Sequence, residues 1–276
     1  MLNVVIAILV LAALGLMLGG LIGFTANRFA VRTDPRIEEI TALLPGANCG
    51  GCGYAGCADY AKAIVEDGAS PAGCAVVSEE NFRKIIQTAG METGKRERKT
   101  AVVYCSGDND HAVHVALYNG LNDCRAAAAL SGAGKGCRFG CIGLGSCARS
   151  CQFGAIEIRN GLAIVHPELC RGCGKCTEVC PRKLIRLVSA ESQVHVYCNS
   201  LDKGPAKRKN CSAGCLACRK CVKAVPDTFN AQGFLVRARE GARISEEQID
   251  AIKCPTGALQ SVETHLSGKK GKDGVA

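Results

Sequence analysis

Aromatic residues are scarce in this sequence. The 276 residues include no Trp, five Tyr and seven Phe, which together make up 4% of the chain. Aromatic side chains supply much of the buried area in ordinary protein cores, and a chain of this length divides into two or three small domains. Because no such domain can have a large aromatic core here, we expect bound metal to help hold the fold.

Recognisable catalytic motifs are also missing. No GxGxxG motif follows a predicted strand, no GxxxxGK[ST] loop is present, and no Ser, His and Asp residues form a defensible nucleophilic arrangement. The five His residues are dispersed without the spacing of metal ligands, and we assign them no role. These absences argue against a protein whose side chains rearrange a substrate.

Positive charge exceeds negative charge, which gives a formal net charge of +9. The basic clusters have no aromatic residues among them, unlike the surfaces of nucleic-acid-binding proteins, so nucleic acid is not an expected partner. Such clusters are usually solvated loops. Beside a membrane they would contact anionic lipid or attract an acidic soluble protein.

Cysteine, by contrast, is abundant, with 20 residues that fall mostly into sets of four. Cys170, Cys173, Cys176 and Cys180, followed by Pro181, form a C-x2-C-x2-C-x3-C-P run, in which three thiolates hold one 4Fe-4S cube and the fourth reaches a second cube. Zinc is the main alternative, but zinc sites usually pair two C-x2-C units far apart. A disulfide scaffold would be short and would carry a cleavable signal peptide. The spacing therefore predicts reduced thiolates in a reducing compartment.

A first group of cysteines lies in the stretch ANCGGCGYAGCADYAKAI. Its glycines would let the backbone fold closely around a cube, and residues 58–65 are predicted to form a helix that returns the chain toward a more distant fourth ligand. We expect one 4Fe-4S cluster here. Its ligands are Cys49, Cys52, Cys57 and Cys74.

From residue 137 the cysteine pattern repeats with a period of 29 residues, as between Cys147 and Cys176 or between Cys151 and Cys180. Each half leads into a β-rich run, at residues 155–159 and 184–189, as in a two-cluster bacterial ferredoxin. Crossed ligation then predicts one cluster on Cys137, Cys141, Cys147 and Cys180, and another on Cys151, Cys170, Cys173 and Cys176. The first half departs from the ideal, since its spacings are x3 and x5 and Gln152 stands where Pro is usual.

A second, degenerate unit follows. Its C-x2-C-x2-C run has Val225 at the position of a fourth cysteine, while Cys254 keeps the closing position of the missing half. Ser245 and Gln248 there form the capping box of a predicted short helix. We therefore expect one cluster in this unit, on Cys215, Cys218, Cys221 and Cys254.

Four cysteines remain outside these sets, at positions 105, 124, 198 and 211. Four cysteines would be enough to hold a fifth cluster. These residues are scattered, however, and lone cysteines are more often small buried hydrophobes. We interpret them in that way and expect four 4Fe-4S clusters in all. Cys211, four residues before Cys215, is the first candidate for a substitute ligand.

The N-terminal segment is apolar and uncharged through residue 27. Residues 3–24 are long enough to cross a hydrocarbon core of about 30 Å as one helix. A cleaved signal peptide is the alternative, but Met1 and Leu2 lead directly into the span without a positive start. Arg28 and Arg32 follow it, so the positive-inside rule predicts a single-pass protein of the inner (cytoplasmic) membrane with the bulk of the chain on the cytoplasmic side.

The motifs CGGCGYAGC, NDCRAA, CRFGCIGLGSC, CQFGAI and CRGCGKCTEVCP occur in this order behind the membrane helix. Together they resemble the B subunit of the Rnf complex over nearly the whole chain, most specifically at residues 46–74 and 136–181. The segment around Cys49 also resembles a domain of corrinoid iron-sulfur proteins. The expected fold is α+β, with a single N-terminal transmembrane helix, a small helical 4Fe-4S domain and ferredoxin-like 4Fe-4S units.

The resemblance also implies a function. Rnf B subunits are part of a membrane-bound, ion-translocating ferredoxin:NAD oxidoreductase, in which this chain would take electrons from soluble reduced ferredoxin and pass them to other membrane and peripheral subunits. Flavin and NAD sites would belong to those partners. Family members with long C-terminal regions can carry more clusters in a second ferredoxin unit, and this chain departs from them at Val225, Ile244, Glu247 and Asp250.

The expected division of the chain has six segments. They are a transmembrane anchor at 1–27, a 4Fe-4S domain at 33–92, a linking α/β segment at 100–135, a two-cluster ferredoxin-like domain at 136–200, a degenerate one-cluster unit at 208–262 and a disordered tail at 268–276. Two other functions fit part of the pattern: a ferredoxin-like subunit of another membrane oxidoreductase, and a cluster-bearing redox sensor or scaffold. A sensor or scaffold needs one or two clusters, whereas four favour successive electron hops.

Overall fold

The computed structural model describes residues 2–28, 34–91, 96–130 and 134–268. Arg32, used above for membrane orientation, and the tail after Gly268 lie outside the described residues. The described helices are α1 (Leu2–Arg28), α2 (Pro35–Leu43), α3 (Cys57–Glu66), α4 (Glu79–Ala89), α5 (Cys124–Ala129), α6 (Ser146–Arg149), α7 (Lys175–Val179), α8 (Gly204–Asn210), α9 (Lys220–Ala224), α10 (Glu246–Ile252) and α11 (Val262–Ser267). The described strands are β1 (Lys99–Val103), β2 (Ile156–Arg159), β3 (Leu162–Val165), β4 (Ile185–Ser189), β5 (Val194–Val196), β6 (Phe229–Gln232), β7 (Leu235–Ala238) and β8 (Leu259–Ser261). This mixture of helices and short strands confirms the α+β class.

The N-terminal helix α1 is apolar around its whole circumference. Its segment Ile8–Thr25 has a mean hydropathy of 2.3, and none of that segment is buried against the rest of the protein. At 1.5 Å per residue, the 27 residues of α1 extend for about 40 Å. By length and composition, α1 can therefore cross a bilayer.

The three helices that follow α1 in the sequence form a small domain. Asp34 caps α2, with its side chain accepting a hydrogen bond from the Arg36 amide at 2.9 Å. Helix α3 confirms the helix expected at residues 58–65. The side chains of Ile40, Ile64 and Ile85 are fully buried between α2, α3 and α4. This apolar core holds the cysteine loop at residues 49–57 against the start of α3.

Two antiparallel pairs of strands form the first ferredoxin-like unit. The hairpin β2/β3 confirms the strand expected at 155–159, and β4 confirms the one at 184–189. Strand β4 pairs with β1, with Val103 opposite Ile185. Because β1 lies at the start of the expected linking segment, this unit extends from residue 99 to residue 189 and includes residues 104–135 as an insertion.

The second unit repeats this arrangement. An inner hairpin β6/β7 is accompanied by an outer pair β5/β8, in which Val196 lies opposite Leu259. Strand β5 falls within residues 136–200, which the sequence assigned to the first unit, yet it pairs with the end of the second. A strand of three residues has no detectable hydrophobic period, so only the pairing reveals where it belongs.

Helix α10 stands where the second unit lacks cysteines. The predicted capping box is confirmed: the Gln248 amide donates to Ser245 Oγ at 3.3 Å, and the Ser245 amide donates to Gln248 Oε1 at 3.1 Å. Ile249 and Ile252 are buried against the core of the second unit. An ordinary apolar helix face thus fills this part of the unit.

Cysteine side chains form part of the core of each unit. Cys141, Cys147, Cys170 and Cys176 are buried in one apolar cluster with residues of β1, β3 and β4. In the second unit Cys198, Cys215 and Cys221 are buried with residues of β5 to β8. The sulfurs therefore occupy the space that aromatic side chains fill in other cores.

Candidate iron-sulfur sites

The cavity that we call site 1 lies in the helical domain and is lined by Cys49, Cys52, Cys57 and Cys74. Gly50 and Gly53 have φ angles of +71° and +89°, which favour glycine, and so they let the loop wrap around the cavity. These four are the cysteines that the sequence groups into one set.

Two hydrogen bonds fix the walls of site 1. Asn48 Oδ1 accepts from the Cys57 amide at 2.8 Å, which positions the start of α3. The buried Tyr60 lines the cavity and donates its hydroxyl proton to the Ser70 carbonyl at 2.5 Å. The chain from Ser70 to Cys74 is thereby held against α3.

Site 2 lies in the first ferredoxin-like unit. Its cavity is lined by Cys151, Cys170, Cys173 and Cys176, which the crossed pattern places together. The Ala101 amide donates to Cys170 Sγ at 3.3 Å, and the Ala155 amide donates to Cys151 Sγ at 3.4 Å. Backbone N–H groups that point at sulfur stabilise the negative charge of a thiolate.

Site 3 differs from the expected set. Its cavity is lined by Cys124, Cys141, Cys147 and Cys180, so Cys124 takes the place that the crossed pattern gave to Cys137. Burial raises the pKa of the Cys147 thiol to about 11, and the nearby thiols of Cys124 and Cys180 raise it further. Cys137 lies in another cavity, described below.

The presence of Cys124 at site 3, in place of Cys137, has a local cause. Cys141 and Cys147 precede Cys215 and Cys221 by 74 residues, and at the same spacing Leu144 stands where the second unit has Cys218. The unit thus lacks a middle cysteine, and the insertion at 104–135 supplies Cys124 in its stead.

The start of α5 is tied directly to the start of α6. Ser146 Oγ donates to the Asp123 carboxylate at 2.9 Å and accepts from the Cys124 amide at 2.8 Å. Asp123 also caps α5 by accepting from the amides of Arg125 and Ala126. These bonds hold Cys124 beside Cys147. The sequence signal that could have found it is the capping aspartate directly before the cysteine.

Site 4 lies in the second unit and consists of Cys215, Cys218, Cys221 and Cys254, the set expected from the sequence. Burial raises the pKa of the Cys221 thiol to about 11, and the other three thiols raise it further. Cys218 is exposed, whereas Cys215 and Cys221 are buried. Site 4 therefore has an edge at the protein surface.

The cysteines of sites 1, 2 and 3 surround a space. Within the described residues, no group of three or more His, Cys, Asp or Glu side chains is arranged to hold a single metal ion. The cavities of sites 1, 2 and 3 have empty volumes of about 340 to 390 Å³, including the part open to solvent. Four thiols around a space suit the corners of a cube.

Burial makes the thiolate forms of Cys74 and Cys176 unfavourable. At site 2 it raises the pKa of Cys176 to about 12, and the surrounding thiols add to the shift. At site 1 burial likewise raises the pKa of Cys74. Several thiolates can share such a cavity only when a metal centre compensates their charge.

The sites adjoin one another. Cys173 lines the cavities of both site 1 and site 2. A Cβ added to Gly51 would lie 2.7 Å from the Cys173 carbonyl oxygen, so only glycine permits this approach. Cys147 of site 3 is among the thiols that raise the pKa of Cys176 in site 2. Sites 1, 2 and 3 therefore form a series.

Two protein-family models match segments of the chain. A family described as "Putative Fe-S cluster" matches residues 44–76, and one described as "4Fe-4S dicluster domain" matches residues 140–185. The first range contains site 1. The second contains all of site 2 and three cysteines of site 3, and it begins after Cys137.

Curated relatives extend the similarity over the chain. The B subunit of the ion-translocating oxidoreductase complex of Methanosarcina acetivorans is 40% identical over 221 residues, which are 80% of this chain and 84% of the relative. The B subunit of the proton-translocating ferredoxin:NAD(+) oxidoreductase complex of Clostridium ljungdahlii is 37% identical over 268 residues, 94% of this chain and 93% of the relative. The B subunit of the Na(+)-translocating ferredoxin:NAD(+) oxidoreductase complex of Acetobacterium woodii is 42% identical over 217 residues, 78% of this chain and 65% of the relative.

The alignments with the M. acetivorans and C. ljungdahlii proteins span most of both partners, and they confirm the resemblance to the Rnf B subunit. Together with the cysteine-lined cavities, they establish that this chain belongs to the family of B subunits of ion-translocating oxidoreductase complexes.

Proposed function

We propose that sites 1 to 4 each hold a 4Fe-4S cluster and that the chain is the iron-sulfur electron-transfer subunit of an ion-translocating ferredoxin:NAD oxidoreductase. The observation that carries this proposal is the series of adjoining cysteine-lined cavities at sites 1 to 3, together with the group of four cysteines at site 4. A sensor or scaffold does not need several centres in a row. Successive one-electron hops do.

The clusters would supply the redox chemistry, while the side chains hold and tune them. Each site offers four thiolates, and backbone N–H groups point at the sulfurs, as at Cys170 and Cys151. Burial, nearby charge and N–H···S hydrogen bonds set the potential of such clusters. No side chain needs to form or break a bond with a substrate.

The proposed ligand sets follow the cavities of sites 1 to 3 and the neighbouring thiols of site 4. Site 1 has Cys49, Cys52, Cys57 and Cys74, site 2 has Cys151, Cys170, Cys173 and Cys176, site 3 has Cys124, Cys141, Cys147 and Cys180, and site 4 has Cys215, Cys218, Cys221 and Cys254. Thiolates of this kind hold 4Fe-4S clusters in ferredoxins. The proposed division of the chain is an anchor, a 4Fe-4S domain and two ferredoxin-like units, and the bounds of the two units follow the strand pairs.

The proposed partners are soluble reduced ferredoxin, as electron donor, and the other membrane and peripheral subunits of an Rnf-type complex. The names of two relatives support ferredoxin and NAD as the two ends of the reaction. One of these names specifies Na⁺ and the other a proton, so the proposal extends to ion translocation in general. The formal net charge of +9 favours encounters with an acidic donor.

The proposed location is the inner membrane. Helix α1 would span it once, and Arg28 at its end would lie on the cytoplasmic side. The cysteine-containing regions would then be in the reducing compartment, where thiolates remain available for iron.

Loss of site 2 tests the proposed function. We expect membranes that contain the complex with Cys176→Ala to lose ferredoxin-dependent NAD reduction, down to the background of membranes that lack this chain, because the series of clusters is interrupted. The measurement is anaerobic NADH formation from reduced ferredoxin, with immunoblots to show that the chain is still inserted. Gln87→Ala, at an exposed position of α4, serves as a control away from the cysteine-lined cavities. Unchanged activity in Cys176→Ala would contradict the proposed electron route.

A pair of variants tests the ligand set of site 3. Cys124→Ala and Cys147→Ala should each remove about four iron atoms per chain, because each opens the same cube. If the two residues share one cluster, the double variant should lose about four iron atoms as well. Iron and labile sulfide are measured on anaerobically purified full-length chain.

The result that would contradict a shared cluster is an additive loss of iron. A loss of about eight iron atoms in the double variant would place Cys124 and Cys147 at different clusters. An unchanged iron content in Cys124→Ala would return that cysteine to the role of a buried hydrophobe.

Protease accessibility tests the orientation. In inside-out membrane vesicles, added protease should remove the chain after Arg28, and in right-side-out vesicles the chain should remain intact. Detergent-permeabilised vesicles, in which both preparations are digested, provide the control. Digestion only in right-side-out vesicles would contradict the cytoplasmic location.

A further inference from the structure

Three of the four cysteines left over by the sequence pattern come together in the structure. One cavity, which we call the junction site, lies between the two ferredoxin-like units. It is lined by Cys105, Cys137, Cys198 and Cys211. Three of these are cysteines that the sequence left as scattered hydrophobes, and the fourth is the one missing from site 3.

The sulfurs of this group are close neighbours. A Cβ added to Gly107 would lie 3.2 Å from Cys211 Sγ and 3.6 Å from Cys105 Sγ. Burial raises the pKa of the Cys211 thiol to about 12, and the thiols of Cys105, Cys137 and Cys198 raise it further. All four cysteines therefore line one cavity, with the sulfurs of Cys105 and Cys211 on the same side of it, next to Gly107.

Backbone N–H groups point at the sulfurs of these cysteines, as they do at the other sites. Cys105 Sγ accepts hydrogen bonds from the Gly107 and Cys141 amides, both at 3.4 Å. The amide two residues after a cysteine also points at sulfur at Cys141 of site 3 and at Cys215 of site 4. Cys211 has the same arrangement with Ala213. N–H groups aimed at sulfur are the usual surroundings of a cluster ligand.

The junction site has an internal two-fold pattern. Each unit contributes a Tyr-Cys pair directly after its outer strand, Tyr104-Cys105 after β1 and Tyr197-Cys198 after β5. In both pairs the cysteine amide donates to the carbonyl two residues earlier at 2.8 Å. Each unit thus presents one ligand from the same point of its fold.

The other cysteine that each unit contributes to the junction site also comes from equivalent positions. Cys137 stands four residues before Cys141, and Cys211 stands four residues before Cys215. A chance gathering of lone cysteines would not draw two residues from equivalent positions of each unit. The pattern is that of a site built by the pairing of the two units.

Buried cations surround the site. Lys207 is 2% exposed and lines the cavity, and its ammonium donates to the Cys215 carbonyl at 3.0 Å and to the Phe234 carbonyl. Lys135, 5% exposed, donates to the Gly107 carbonyl at 3.0 Å and to the Gly161 carbonyl at 2.9 Å. The lysines thus occupy matching positions, because residues 161 and 234 close the hairpins β2/β3 and β6/β7.

Neither ammonium has a carboxylate partner among the described residues. Arginines reinforce the same charge: Arg182 donates to the Cys137 carbonyl and Arg237 to the Cys198 carbonyl, each at 3.1 Å. Asp202 also lines the cavity, and its carboxylate is paired with Arg138 at 2.9 Å. Buried positive charge without a counterion is costly, and an anionic centre in the cavity would compensate it.

The position of the junction site completes a series. Cys105 accepts from the Cys141 amide, which belongs to site 3. On the other side, the Cys198 thiol raises the pKa of Cys215, which belongs to site 4. The junction site therefore lies between sites 3 and 4 and connects the two units.

We propose that Cys105, Cys137, Cys198 and Cys211 bind a fifth 4Fe-4S cluster, which links the two ferredoxin-like units and carries electrons between site 3 and site 4. This inference rests on the proposed function of sites 1 to 4 and goes beyond their number. All 20 cysteines then belong to five sets of four. The thiols lose their protons as they bind iron, and the buried lysines compensate the negative charge of the cluster.

Iron and sulfide in the wild-type chain give the first test. Anaerobically purified full-length protein should contain about twenty atoms of iron and about as many of labile sulfide per chain. About sixteen of each, with or without one zinc ion, would overturn the fifth cluster and leave sites 1 to 4 in place. A chain without iron and sulfide would overturn the proposed function itself. This measurement needs no variant and so does not depend on how a variant folds.

Matched cysteine variants assign the iron to the cavity. Cys198→Ala should remove about four iron atoms, and Cys198→Ala combined with Cys211→Ala should remove no more, because both residues hold one cube. Cys254→Ala, at site 4, is the control for loss of one regularly spaced set. It should lower iron by about four on its own and add its loss to that of Cys198→Ala. Unchanged iron in Cys198→Ala beside a loss in Cys254→Ala would refute the junction cluster.

Discussion

A thiolate buried in protein is stable only where positive charge compensates it, and this constraint shapes the whole chain after α1. The cores of the two ferredoxin-like units contain cysteine where other proteins have aromatic residues. Burial raises the pKa of Cys105 and Cys176 to about 12, with a further contribution from neighbouring thiols, so these residues favour the protonated form until iron binds. Cluster binding is therefore part of the folding free energy of these units.

The same constraint explains how two similar units complete their sites by different means. The second unit keeps a regular C-x2-C-x2-C run at site 4. The first has Leu144 in place of the middle cysteine and recruits Cys124 from an insertion, fixed by Ser146 and Asp123. Where the second unit lacks a further cluster, the capped helix α10 fills the volume with Ile249 and Ile252. A missing thiolate is thus replaced either by another thiolate or by apolar packing.

Local spacing was sufficient for some sites and insufficient for others. The helix at α3, the strands β2 and β4, and the capping box of α10 are all encoded within a few residues, and the sequence predicts them. The grouping of Cys49 with Cys74 likewise depends on one short helix. Cys105 and Cys198, however, follow strands that pair with distant strands of their own units, and they meet in one cavity only because the two units lie side by side. Pairings between short, distant strands leave no periodic signal in the sequence.

Cys137 shows this limit most clearly. Its distance of four residues from Cys141 suggests a shared cluster, but the backbone turns between them and directs Cys137 toward the second unit. The sequence did contain a usable signal: the C-x3-C spacing occurs at both 137–141 and 211–215, and a Tyr-Cys pair precedes each. Comparing the two units with each other, as well as the two halves of the first, would have revealed the junction set.

We infer that the cysteine-lined sites, arranged in series, hold iron. Anomalous diffraction from crystals of the anaerobically purified chain, measured on both sides of the iron absorption edge, tests it most directly. We expect a strong iron peak within each of sites 1 to 4 and within the junction site, centred between the four sulfurs. Peaks that appear only above the zinc absorption edge, or sites without iron density, would contradict it.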